Sequence, residues 1–140
     1  MKIIIEINLY LSFIMLGIIL ITQVVNYPIL RKVNSKDFST FHNNYTNQIS
    51  LIAGPIMLAE LFIAILILFT FYSLLSIINL ATVILILLST IAIQVPIHSK
   101  LKNGKNDILI NKLIISNCIR LVLWFNKCFI SIIILNGRLL

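Results

Sequence analysis

The chain alternates between long apolar runs and short polar breaks. Apolar residues fill 3–27, a polar stretch follows over 31–47, an almost unbroken apolar run covers 48–97, a basic break covers 100–106, and 108–136 is apolar again. The runs are continuous and lack period-two alternation, so they predict helices rather than strands. At 1.5 Å of rise per residue, 48–97 is roughly twice as long as a bilayer core is deep, so it must fold back as a hairpin. Ser73, Ser76 and Asn79 supply polar caps and place the turn within 73–79. The prediction is an all-α integral membrane four-helix bundle in one domain, with spans at about 3–27, 48–72, 77–98 and 108–136.

Local signals sharpen this outline. Pro28 is expected to stop the first span, since proline has no amide to continue the ladder. Pro55, after Gly54, and Pro96 should kink theirs. Within 31–47 and just beyond, Phe38, Phe41, His42, Tyr45 and Ile49 recur at helical spacing, with Ser35 as an N-cap, which predicts a short amphipathic surface helix between spans 1 and 2. Asn106 or Asp107 should cap the last span and Gly137 should end it. No repeat or low-complexity tract stands out.

Composition agrees: of 140 residues 60% are hydrophobic and 11% charged, against about a quarter charged in soluble domains. The net charge of +7 does not point to nucleic acid, because the basic residues cluster in two breaks between apolar runs. With four crossings, Arg31, Lys32, Lys36, Lys100, Lys102, Lys105 and Lys112 share one side, and Lys2 and Arg138 lie on the other. The positive-inside rule then puts both termini outside the cytoplasm, as in a bacterial inner membrane. Lys2 precedes an apolar run, but Glu6 interrupts its start and no small-residue cleavage site follows, which reads as a retained helix. Cys118 and Cys128 are separated by about 15 Å of helical rise and cannot bridge each other. They read as packing residues.

The candidate chemistry starts at Arg120, whose charge in lipid costs several kcal/mol unless it faces the bundle interior. Asn117, Arg120, Trp124 and Lys127 fall on one helix face, which must look inward. Glu60 is the acidic residue of another apolar run, and the simplest arrangement pairs it with Arg120. Gln23, Asn26 and Tyr27 end span 1 on the side where Thr90, Gln94 and His98 end span 3, and His42 can reach the same mouth. Polar groups from all four spans thus predict a cavity lined by Gln23, Tyr27, Glu60, Gln94, His98, Asn117, Arg120 and Trp124. The plain alternative is interhelical glue, with Trp124 filling the core and Lys127 snorkelling to the surface.

His42, His98 and Glu60 could form a two-His-one-carboxylate set that suits iron, or a zinc or copper site completed by Tyr45 or water. Either histidine could instead be a general acid or base. No phosphate loop and no Ser-His-Asp order is present.

The element Gln94-Val-Pro-Ile-His-Ser-Lys-Leu101, followed by Asn117, Arg120 and Trp124, resembles the small four-helix membrane family that includes anthrone oxygenase-like proteins. His98 stands where that family leads one to expect Asn. The resemblance implies oxidation of a polycyclic phenolic substrate by oxygen. The expectation is a membrane oxidoreductase or oxygenase-like enzyme in which Arg120 binds an anionic or carbonyl oxygen, with Tyr45 among the substrate contacts. The alternatives are a small transporter switching a Glu60/Arg120 pair as a homo-oligomer, and a structural subunit binding the helices of a larger partner.

Overall fold

The computed structural model describes residues 2–137 and contains four helices long and apolar enough to cross a membrane. They are α1 (Lys2–Lys32), α2 (Phe38–Thr70), α3 (Leu74–Leu101) and α4 (Asp107–Asn136). No strand occurs among the described residues. Arg138 lies outside them. α1 packs on α2 and α4, and α3 packs on the same two, so the helices form a ring in chain order.

The outward faces carry Phe13, Phe62, Phe69, Leu88, Phe125 and Phe129, all exposed, as suits a surface whose solvent is lipid. The protein is an integral membrane protein. Inside, apolar layers centre on Tyr27, Phe38 and Leu113 at the basic end, on Met15, Ile86 and Trp124 midway, and on Ile5, Ile67 and Ile134 at the far end. Polar side chains sit between these layers.

Pro28 does not stop the first span. Both α1 and α3 widen by one residue just ahead of their proline, over Thr22–Asn26 before Pro28 and over Thr90–Gln94 before Pro96. The Tyr27 amide donates to the Thr22 carbonyl, and the Val95 amide to the Thr90 carbonyl, each five residues back. A proline ring collides with the carbonyl four residues back and brings no N–H, so an inserted residue relieves the clash and the helix continues. Thr22 and Thr90 each donate their hydroxyl to the carbonyl four residues back, both at 2.8 Å. Thr22–Pro28 and Thr90–Pro96 are therefore one local device used twice. A search for extended repeats misses it because few positions carry it.

The amphipathic segment beginning at Phe38 is helical, as its spacing requires, but it runs without a break through Pro55 to Thr70. Its inner residues Phe38 and His42 are fully buried against the bundle. Asp37, not Ser35, precedes its first turn. The hairpin turn falls just before 74, where Ser73 accepts from the Ser76 amide. Asn106 caps α4 by accepting from the Leu109 amide at 3.1 Å. Lys105 ties the two basic breaks together by donating to the carbonyls of Arg31 (2.6 Å) and Val33 (2.9 Å).

Candidate functional site

A cavity of about 380 Å³ lies in the basic half of the bundle. Ile18, Ile19, Ala53 and Met57 form its apolar wall, and Tyr27, Tyr45, Gln94, His98 and Arg120 its polar one. Lys102 stands at the rim. The widened turns matter here because they set the register in which Gln94 and His98 follow Thr90 on α3 and Tyr27 follows Thr22 on α1.

A hydrogen-bonded chain runs back from the cavity wall. The Tyr27 hydroxyl lies 3.3 Å from Gln94 Oε1 and 3.4 Å from His98 Nε2. His98 Nδ1 lies 3.0 Å from His42 Nε2. His42 is fully buried, stacks on Phe38 with ring centroids 5.6 Å apart, and has no partner for Nδ1. The chain is self-consistent in either direction, because each imidazole holds one N–H and one lone pair and the phenol can turn its O–H. Gln94 is fixed by donating to Ser116 Oγ at 2.8 Å.

Arg120 is 7% exposed. Its Nη1 donates to Asn117 Oδ1 at 3.5 Å, its guanidinium carbon lies 5.3 Å from the Trp124 ring centroid, and its Nε has no partner. Among the described residues no carboxylate forms an ion pair with it.

Glu60 pairs instead with Lys127. The Lys127 ammonium lies 2.9 Å from Glu60 Oε1 and donates to Asn8 Oδ1 (3.2 Å) and Ser12 Oγ (2.6 Å). Glu60 Oε2 accepts from the Trp124 indole at 3.0 Å. Asn8 donates to Ser131 Oγ at 2.7 Å. The ammonium thus has two hydrogen-bond acceptors and, as an ion-pair contact, the Glu60 carboxylate opposite it, the counter-charge and polar company a buried lysine needs. Lys127 does not snorkel; it is fully buried. The Glu60/Arg120 pair expected from the sequence, on which the transporter alternative rested, is not formed.

The structure thus divides the predicted site in two. Tyr27, Tyr45, Gln94, His98 and Arg120 line the cavity, with His42 behind His98. Gln23 turns to α4, accepting from Asn117 at 2.8 Å and donating to the Ile114 carbonyl at 3.2 Å. Gln23, Asn117, Glu60 and Trp124 do not line the cavity. Glu60 does not join the histidines: among the described residues no group of three or more His, Cys, Asp or Glu side chains is placed to hold a metal ion. Asn8, Ser12 and Ser131 were missed. Their signal was present in two four-residue spacings, Asn8 to Ser12 and Lys127 to Ser131, inside apolar runs. Comparison with known families, curated proteins and solved structures gave no match.

Proposed function

We propose that the protein is a small membrane enzyme that works by proton transfer on a hydrophobic molecule bearing an acidic O–H, or a C–H beside a carbonyl. The observation that carries the reading is the Tyr27, His98, His42 chain, whose first two members line a cavity that also holds a buried guanidinium. The Tyr27 oxygen takes the ligand proton while its own passes to His98 Nε2, and the His98 Nδ1 proton passes on to His42 Nε2. One proton leaves the ligand and one imidazolium forms. The oxyanion left on the ligand faces Arg120, whose donors are already in place and shielded from water by apolar walls. The resemblance to anthrone oxygenase-like proteins supports a polycyclic phenolic substrate, with oxidation by oxygen as the oxidoreductase form of the same reading. The basic end lies in the cytoplasm in this reading, with both termini across the membrane.

The test is deuterium exchange. Protein in phosphatidylcholine nanodiscs is incubated in D₂O with a tricyclic aryl ketone, and label at the carbon next to the carbonyl system is followed by mass spectrometry. Exchange above protein-free nanodiscs is expected, falling at least about tenfold in Tyr27→Phe and His98→Phe. Equal exchange by wild type, both variants and empty nanodiscs would overturn the proposal.

A further inference from the structure

The polar wall of the cavity is unbalanced in charge. Arg120 lines it at depth and Lys102 at the rim, yet none of its lining residues is acidic. Arg120 is 7% exposed and uses its fork poorly, with one 3.5 Å hydrogen bond and an Nε without a partner. Buried guanidinium groups ordinarily meet a carboxylate or phosphate in a bidentate pair. Glu60, the acidic residue of the span across the bundle, is already held by Lys127 and Trp124. The missing negative charge therefore has room to come from a ligand.

The shape of the cavity says more. Its lining residues on α1 and α4, such as Ile19, Tyr27 and Arg120, are buried, whereas Asn47 and Ser50 on α2 and Val95 and Ser99 on α3 are exposed. The opening thus lies between α2 and α3. Gly54 lines the same side, and a Cβ there would meet nothing within 4 Å. A volume of about 380 Å³ holds roughly a dozen non-hydrogen atoms at the ~30 Å³ share of a liquid water.

We infer that the cavity binds a single-chain amphiphile carrying one oxyanion, a carboxylate on a compact apolar body, which enters from the membrane between α2 and α3 and sets its head against Arg120. The apolar body lies along Ile18, Ile19, Ala53 and Met57, and Lys102 draws the head to the rim. The inference shares its cavity with the proposed function but goes beyond it: the carboxylate is a bound ligand and not the molecule that gives up a proton.

Trp124, the sole tryptophan, stacks beside Arg120 and reports on the site. Protein in phosphatidylcholine nanodiscs is titrated with 10-bromodecanoate, whose bromine quenches indole fluorescence, and with neutral 10-bromodecanol. Saturable quenching by the carboxylate is expected, with the alcohol at least about tenfold weaker, the factor a charge-assisted hydrogen bond supplies. Arg120→Gln should weaken the carboxylate by about the same factor, and Arg120→Lys, which keeps charge but not the fork, by less. The comparison of the two probes on wild type needs no variant to fold. Equal quenching by both probes, or undiminished quenching of Arg120→Gln by the carboxylate, overturns the inference. So does quenching by a tail-brominated phosphatidic acid that decanoate fails to relieve, since a bilayer headgroup would then own the site. Quenching requires no proton transfer, so the deuterium assay can fail while this one succeeds, and the reverse.

Discussion

Lys127→Met should be among the most destabilising single changes in the chain. It leaves the Glu60 carboxylate, 1% exposed, with the Trp124 indole and no cation. Removing one partner of a buried pair costs about 3–5 kcal/mol in soluble proteins. In a membrane the unfolded helices also find polar partners, which lowers measured couplings, so we expect about 2–4 kcal/mol. Glu60→Gln strands the Lys127 ammonium instead, but that group keeps Asn8 and Ser12 as acceptors and the new amide still accepts from Trp124, so it should cost less. In the double variant Glu60→Gln/Lys127→Met the loss should be well short of the sum, with a coupling of at least about 1 kcal/mol. The assay is reversible unfolding from dodecylmaltoside into sodium dodecyl sulfate, followed by circular dichroism. The parallel cycle with Arg120→Met and Glu60→Gln serves as comparison and should show a smaller coupling, since these two residues meet only through Trp124, which both contact. Coupling of Glu60 to Arg120 that exceeds its coupling to Lys127 would refute the pairing and restore the arrangement expected from the sequence.

Other changes separate packing from the cavity. Gly54→Leu projects into open space, so stability should move by less than about 0.5 kcal/mol while 10-bromodecanoate quenching falls at least about tenfold, read by the same titration. Pro96→Ala returns an N–H that the regular helical ladder can use. The widened turn at Thr90–Gln94 should close, and hydrogen exchange at Val95 together with weaker bromodecanoate binding would record it; unchanged exchange would mean proline does not cause the widening. Asn106→Ala removes the side-chain acceptor of the Leu109 amide and should cost about 1 kcal/mol in the unfolding assay, with quenching unaffected.

Much of this protein could be read along one dimension. Apolar runs too long for a soluble core specified the four crossings, and helical spacing put Asn117, Arg120, Trp124 and Lys127 on one face, all of them buried in the structure. The Asn106 cap was equally legible, because capping is a contact between residues three apart. Pro28 was misread for a local reason: its effect depends on whether the preceding turn can absorb an extra residue, and Thr22 back-bonds to Ile18 at the start of that turn.

The partners of the buried charges could not be read in this way. Periodicity tells which way a side chain faces but not the height at which it meets another helix. Arg120 and Lys127 share a face and differ by two turns, about 10.5 Å along the axis, so Glu60 on α2 could be level with either. The axial offset between α2 and α4, set by interlocking layers such as Met57 with Trp124, put Glu60 level with Lys127 and left Arg120 facing the cavity. The sequence alone determined a membrane bundle with an inward polar stripe. Which cation is neutralised within the protein and which is left for a ligand was decided by packing, because charges in low dielectric pair by distance and distance between helices is a tertiary property.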